Sequence, residues 1–560
     1  MNALESLKTD AFANGSPKFP DSNLQELAKQ NGSLAAWQQA FARQGAAAAQ
    51  HVTGSFAVGL RDPAGRVFLA VDRFAVDTLC YRITGSEIRF SPRADDLADI
   101  NTPIDPQAIF DYLFFHAIPS PRTIFKGVFR LPPGRCALFE NGQLTVSTYW
   151  TPEFVETKTA DFESLKTEFR QLLRNSVADE LDGRKAACFL SGGTDSSTVA
   201  GMIGEAGNAP AATYSIGFDA AGYDEMEFAR LAAKRFNTNH HEYYVTPDDL
   251  VRSIADVAAS YDQPFGNSSA LPAYYCARMA KDDGVTKILA GDGGDELFGG
   301  NSRYAKQRIF GWYELLPGAV RRGVMEPLME IPVMGKIPLL SKGASYVEQA
   351  KVPMPDRLNM YNLLLRLGVA DVLTAGFLEQ VDIASPARQQ RSVWGEAKTS
   401  HNLNRTLAFD WRYTLAESDL PKVCGTTRLA GINVGFPMLS AQLLEFSLKL
   451  PTEYKLKGFK LRWFFKEALR GFLPDEILTK KKQGFGLPFG VWATRHSGLR
   501  KLAVNSLYSL GERGIVRVDF IETLVKQRLP EHPGYYGEMV WILMMLEQWL
   551  QAKAPLFKVQ

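Results

Sequence analysis

Cysteine is scarce in this 560-residue chain: five residues, at 80, 136, 188, 276 and 424, and none in the first 79 positions. No Cys-x-x-Cys pair occurs, so neither a disulfide framework nor a thiolate zinc site is expected, and the five read as small buried hydrophobes or free thiols. Long apolar stretches are missing too. Only short runs such as Met539 to Leu546 are present, well below the roughly eighteen residues that cross a bilayer, so no membrane-spanning helix is expected. The opening Met-Asn-Ala-Leu-Glu-Ser-Leu-Lys-Thr-Asp lacks the basic flank and apolar block of a secretory signal, so a cytoplasmic protein is expected. Nor is there an excess of one charge: 63 Lys+Arg against 61 Asp+Glu leave a formal net charge of +2, giving polyanions no general attraction. What remains, 46% hydrophobic and 22% charged, is the composition of a globular chain with room for at least two cores.

Residues 1–50 are polar and alanine-rich, and the spacing of Leu24, Leu27, Leu34, Trp37 and Phe41 predicts one or two short surface helices. From Gly54 short apolar runs broken by Asp-Pro-Ala-Gly and Thr-Gly-Ser-Glu predict antiparallel hairpins, a helix near Pro106 to Phe115, and two last strands near Ala137 and Val146. A polar stretch after Trp150 reads as a linker. Beyond it, apolar strands at 186–190, 212–218, 242–245 and 287–290 alternate with amphipathic helices, the pattern of a mostly parallel, doubly wound sheet that binds ligands outside the carboxyl ends of its strands. Past about residue 300 the chain reads as mainly helical.

Three loops carry chemistry. Phe189-Leu-Ser-Gly-Gly-Thr-Asp-Ser-Ser197 lies directly between a strand and a helix, where glycines admit an anion to backbone N–H groups and serine hydroxyls and the helix N-terminus donate to phosphate. Asp195 in that loop would repel phosphate unless a cation intervened, which implies Mg²⁺. Ile288-Leu-Ala-Gly-Asp-Gly-Gly-Asp-Glu-Leu-Phe-Gly-Gly300 also ends a strand; Asp295 suits a second metal carboxylate, and Asp292 a general base or an amine-positioning group. Leu478-Thr-Lys-Lys-Lys-Gln-Gly-Phe-Gly-Leu-Pro-Phe489 brings lysines to a Gly/Phe/Pro loop, where an ammonium can neutralise charge growing on phosphate or carboxylate oxygens.

These loops, together with Thr213-Tyr-Ser-Ile-Gly-Phe218, occur in the order found in glutamine-hydrolysing asparagine synthetases and β-lactam synthetases, which the chain resembles over roughly residues 52–500. Gly54-Ser-Phe-Ala-Val-Gly-Leu-Arg-Asp62, Val71-Asp-Arg-Phe-Ala-Val-Asp-Thr-Leu-Cys-Tyr81 and Pro121-Arg-Thr-Ile-Phe-Lys-Gly-Val128 resemble the later part of that family's glutaminase domain. The resemblance implies an α/β fold: a β-rich remnant of an N-terminal-nucleophile amidotransferase domain over 1–155, and a doubly wound ATP-pyrophosphatase domain with a helical extension over 156–560. It implies adenylation of a carboxylate by ATP and Mg²⁺, release of pyrophosphate, and attack by an amine on the acyl-adenylate. By matching position, Ser191, Gly192, Gly193, Asp195 and Ser196 hold pyrophosphate. Asp195 and Asp295 bind Mg²⁺, Leu190, Ile216 and Gly291 line the adenosine site, and Lys482 is the transition-state lysine. Asp292 stands where asparagine synthetases carry Glu and β-lactam synthetases Tyr.

Two departures qualify that picture. Residue two is Asn2 rather than the cysteine nucleophile such a glutaminase requires, and its glutamine-gripping segments are not found upstream of Gly54, so glutaminase activity is expected to be absent. In Val423 to Ser440, Cys424, Thr427, Asn433, Gly435 and Ser440 replace most of the polar residues of asparagine synthetases, which makes aspartate a doubtful substrate or else reflects drift in a packing segment. The expected partners are a small-molecule or peptide carboxylate and an amine, either ammonia or one borne by the substrate, the latter including lactam or macrolactam closure. A homodimer is compatible with the resemblance, and neither nucleic acid nor membrane is expected as a partner. A nucleotide-binding scaffold without catalysis is the rival reading; a tRNA-directed enzyme is disfavoured by the near-neutral charge.

Overall fold

A computed structural model describes residues 10–157, 161–207, 209–315, 317, 320, 346–481 and 486–559. In its first part, β1 (Ala11–Gly15), α1 (Ser22–Asn31), α2 (Ser33–Gln44), β2 (Phe56–Arg61), β3 (Val67–Val71), β4 (Cys80–Thr84), β5 (Glu87–Ser91), α3 (Pro106–Phe115), β6 (Val128–Arg130), β7 (Arg135–Glu140) and β8 (Gln143–Thr148) follow in order. Strands β1-β2-β3-β7-β8 form one antiparallel sheet and β5-β4-β6 a second. Side chains alternate across a strand, and here both faces are covered. Phe56, Val58, Phe68 and Ala70 pack under Leu24, Trp37 and Phe41, while Ala57, Leu69 and Val71 pack against Leu79 and against Tyr81, Ile88 and Phe90 of the smaller sheet.

The first helices therefore correct the expectation of a surface segment. Trp37 is wholly buried, its ring tilted against Phe56 at 5.0 Å and edge-on to Phe19 at 5.1 Å. Aromatic area of that size decides burial even where the flanking residues are polar. Ala11–Gly15 is an edge strand that the polar texture of the segment hid. Asn2 lies outside the described residues.

The second part runs α4 (Phe162–Glu180), β9 (Ala187–Phe189), α5 (Thr194–Gly207), β10 (Ala212–Phe218), α6 (Met226–Phe236), β11 (Asn239–Val245), α7 (Pro247–Ser260), α8 (Ala270–Asp282), β12 (Lys287–Leu289), α9 (Gly294–Phe298) and α10 (Ser302–Leu315), and then, among later helices, β13 (Asn433–Gly435). The sheet order is β11-β10-β9-β12-β13, every pairing parallel. The order reverses between β9 and β12, and at such a switch point the loops leaving two neighbouring strands diverge and open a crevice. Strand β13, three residues drawn from the helical half, was not read from the sequence; its Asn-Val-Gly is too short to show a period.

Helix Pro533–Lys553 contains the apolar run Met539 to Leu546 and is apolar all round because protein surrounds it, not lipid. Its Glu547 is buried against Arg513 at 2.7 Å, and no described helix is long and apolar enough to cross a membrane. The two parts share one core: Cys80, Ile109, Phe110, Leu113, Phe125 and Val128 join the cluster of Tyr214, Leu271, Leu543 and Trp549. Polar groups seal the seam. Ser120 donates through N and Oγ to Glu417 at 3.0 and 2.7 Å, Glu417 also meets Arg412, and the backbone N–H of Ala94 donates to Asp262 at 2.9 Å.

Candidate active site

The phosphate-type loop begins where the backbone N–H of Leu190 still pairs with the carbonyl of Tyr214 at 2.9 Å, continuing the sheet. Gly192 then adopts φ +69°, and a Cβ there would press on Phe228 and the backbone of Ala229 at 2.5–2.7 Å. Only glycine lets the turn sit so closely on α6. The hydroxyls of Ser191 and Ser196 face each other at 3.0 Å, and the Ser191 N–H donates to Ser196 Oγ at 3.1 Å, so both lie at the mouth of α5. Pairing of β9 with β12 brings the second loop alongside. A Cβ on Gly291 would touch the backbone of Asp195 and Ser196 at 2.8–2.9 Å, so the two loops are in direct contact.

Asp195 and Asp295 converge on a common partner, Arg462. Its Nη1 donates to Asp195 Oδ2 and to Asp295 Oδ1, each at 2.8 Å, and its Nη2 to Asp195 Oδ1. The guanidinium also lies 4.0 Å over the Phe465 ring. Burial would lower its pKa, but the two carboxylates carry it above the ordinary arginine range. Gly294 and Gly300 leave the room for this triad, since a side chain at either would collide with Asp195, Asp295 or the guanidinium.

Asp292, beside it, is also engaged. Lys422 Nζ donates to Asp292 at 3.2 Å and to Asp419 at 3.3 Å. Burial would push this ammonium down, yet the flanking carboxylates hold it well above the usual lysine value. Basic groups also line the cavity: Lys460, Lys466, Arg470, Lys480 and Lys481. Lys480 meets Glu225 at 2.9 Å over the Phe228 ring, which ties the basic segment to the same α6 terminus that supports Gly192.

Both serines, the four aspartates, Arg462, Lys422 and these basic groups border one cavity of about 840 Å³. Of the residues expected from the sequence, Leu190, Ser191, Gly193, Asp195, Ser196, Ile216, Gly291, Asp292 and Asp295 are on its wall. Gly192 lies behind the wall, and Lys482 lies outside the described residues. Sequence reasoning missed Arg462, Lys422, Asp419 and Lys466; a run of cations from Lys457 to Arg470 was the one available signal for two of them.

The donor set fits a nucleotide with its cation. Apolar Leu190 and Ile216 and the bare backbone of Gly291 border space for a base, and hydroxyls and a helix N-terminus border space for phosphates. For Mg²⁺, two carboxylates reach one point, and no group of three His, Cys, Asp or Glu able to hold a metal occurs among the described residues. That suits an ion held by one or two carboxylates and otherwise by phosphate oxygens and water.

Three of the variant residues after Val423, Cys424, Thr427 and Ser440, make internal hydrogen-bonding or capping contacts. None of Cys424, Thr427, Asn433, Gly435 and Ser440 is on the described cavity wall. Cys424 points to the Val76 carbonyl, Thr427 bonds back to the Val423 carbonyl at 2.8 Å, and Ser440 Oγ meets Ser176 Oγ at 2.6 Å and caps the next helix. Burial raises all five thiols, Cys80 to about 12.

Comparison with known proteins agrees with this geometry. The asparagine synthase family profile matches residues 168–551, and the glutamine amidotransferase domain profile matches 36–150. Asparagine synthetase [glutamine-hydrolyzing] 1 of Bacillus subtilis (strain 168) is 25% identical over 489 residues, 86% of this chain and 74% of that protein. Asparagine synthetase [glutamine-hydrolyzing] 3 of the same organism is 24% identical over 456 residues, 78% of this chain and 67% of that protein. Amidase chyE of Penicillium rubens is 22% identical over 495 residues, 79% and 70% of the respective chains. With its paired loops at the switch point and a family match over most of its length, the chain belongs to the asparagine synthase family and is an ATP-dependent carbon–nitrogen ligase.

Proposed function

We propose that the chain activates a carboxylate as its adenylate and passes the acyl group to an amine without hydrolysing glutamine itself. The observation that carries this reading is the convergence of both glycine-rich loops, two carboxylates and a basic wall on one cavity. A substrate carboxylate oxygen would attack the α-phosphorus of ATP, and the bond to the departing pyrophosphate would break. The amine lone pair would then attack the acyl carbon, with AMP leaving and one proton lost from nitrogen. Ser191, Gly192, Gly193 and Ser196 would hold pyrophosphate, Leu190, Ile216 and Gly291 the adenosine, and Lys482 would neutralise charge at transfer. Asp195 and Asp295 would hold Mg²⁺, whose chemistry there is neutralisation of phosphate charge. Asp292, fixed by Lys422, would orient the amine.

We take residues 1–155 as a degenerate amidotransferase unit and 156–560 as the synthetase. The shared core and the sealed seam support a structural role for the first unit. Its two thiols, Cys80 and Cys136, are buried and raised, so neither supplies an accessible thiolate. In an alternative of the same chemistry, carboxylate and amine belong to one substrate and a lactam forms.

ATP–pyrophosphate exchange over a panel of carboxylates, with and without ammonium or glutamine, tests both. Exchange that needs a carboxylate and is lost in Lys482→Ala supports adenylation. AMP release without added ammonium points to a substrate-borne amine, and release driven by glutamine alone defeats the claim that glutaminase is absent. No exchange and no ATP binding would leave a scaffold.

A further inference from the structure

Arg462 is not where a helix-bound arginine relaxes. Its backbone is left-handed, φ 53° and ψ 36°, a conformation that costs a non-glycine residue and persists only when its surroundings impose it. Its N–H is held by the Gly299 carbonyl at 3.2 Å, and its side chain is buried between Asp195 and Asp295. Gly294 and Gly300 of the acidic loop are both required to admit it. The fit is incomplete in one respect: Arg462 Nε is buried with no hydrogen-bond partner among the described residues.

We propose that Arg462 is the resident counter-ion of the two aspartates, that a divalent cation can enter between them only when the guanidinium leaves, and that the departing guanidinium goes to the nucleotide phosphates. The inference rests on the reading of Asp195 and Asp295 as the metal carboxylates. Two carboxylates aimed at one point repel and need a cation there. A guanidinium cannot lose its proton, so it yields the point only by moving. Nη1 stands 2.8 Å from both carboxylates, where a Mg²⁺ ion would need its own oxygens at about 2.0–2.1 Å. The two cations therefore exclude each other. Phosphate offers the displaced fork bidentate acceptors and a partner for Nε. Metal and nucleotide then bind synergistically, and the nucleotide-free protein keeps metal out.

The test is Mn²⁺ binding to the full chain, read by the electron paramagnetic resonance of free Mn²⁺, with and without α,β-methylene-ATP. Without nucleotide, Arg462→Met is expected to bind Mn²⁺ at least about tenfold more tightly than the wild type, because the competitor is gone. The analogue is expected to restore Mn²⁺ uptake by the wild type, and Arg462→Met to bind the analogue more weakly. Asp295→Asn placed in Arg462→Met should abolish the gain. Equal nucleotide-free Mn²⁺ affinity in wild type and Arg462→Met overturns the counter-ion role while leaving the metal carboxylates in place. No Mn²⁺ bound by either protein, with or without the analogue, overturns the metal reading and this inference together. If Arg462→Met does not fold, Arg462→Gln replaces it, also without the positive charge: Mn²⁺ alone should raise its melting temperature and leave the wild type's unchanged, and equal shifts overturn the proposal.

Discussion

Asp72, just after β3 in the β-rich part, and Asp195, in the first turn of α5 in the synthetase part, both lie shortly after a strand, and they are put to opposite uses. Asp72 spends its oxygens on backbone: it accepts the N–H groups of Phe56, Phe74 and Val76 at 2.8–3.1 Å. Burial pushes its carboxyl up to about 7. Asp195 faces an open volume and is matched by a charge from a residue 267 positions away. A buried polar group satisfied by local backbone is architecture. One that needs a distant ion beside a cavity is the mark of chemistry.

Mutations can break that contrast. The largest effect is expected at the cavity: Asp295→Asn and Lys482→Ala should each lower carboxylate-dependent pyrophosphate exchange by about 10²–10³-fold with far-ultraviolet circular dichroism unchanged. Asp72→Ala should do the reverse, costing about 3 kcal/mol or more in urea unfolding because three buried N–H groups lose their acceptor, while exchange per folded molecule stays within about twofold. A fall in exchange beyond the folded fraction would show that the β-rich part takes part in catalysis. If Asp292 orients the amine as proposed, Asp292→Asn should leave exchange nearly intact and slow amide formation by roughly tenfold. Equal losses in both steps would move Asp292 to the adenylation machinery.

The smallest effect is expected where the two parts join. Lys455 is fully buried, donates to Asn404 at 3.0 Å beneath the Phe154 ring, and is pushed down to about 7 by burial, against the pull of Glu156. A lysine lowered from 10.5 in this way binds fewer protons folded than unfolded between those values. Its contribution to stability is thus present above pH 10.5 and is lost as pH falls toward 7. Lys455→Met should flatten that rise in a urea titration series, and an unchanged slope would assign it to other groups.

What the sequence determined by itself was whatever lies within a few consecutive residues. Ser191 to Ser196 and Gly291 to Asp295 could be read as neighbours because the strand before each, the glycines within it and the helix after it are contiguous, and a doubly wound order brings such loops together. The alternation of strands and helices from 186 to 290 was legible for the same reason. Tertiary structure decided everything that depends on a distant partner: β13 joining the sheet from residue 433, Trp37 turning a polar segment into part of a core, and Ser440 meeting Ser176 from 264 positions away. It also decided that Arg462 stands between Asp195 and Asp295, and that Lys422 holds Asp292 from 130 positions away. Two like charges in a buried corner must be neutralised, but the identity of the neutralising group follows from the course of the whole chain, and no local pattern encodes it.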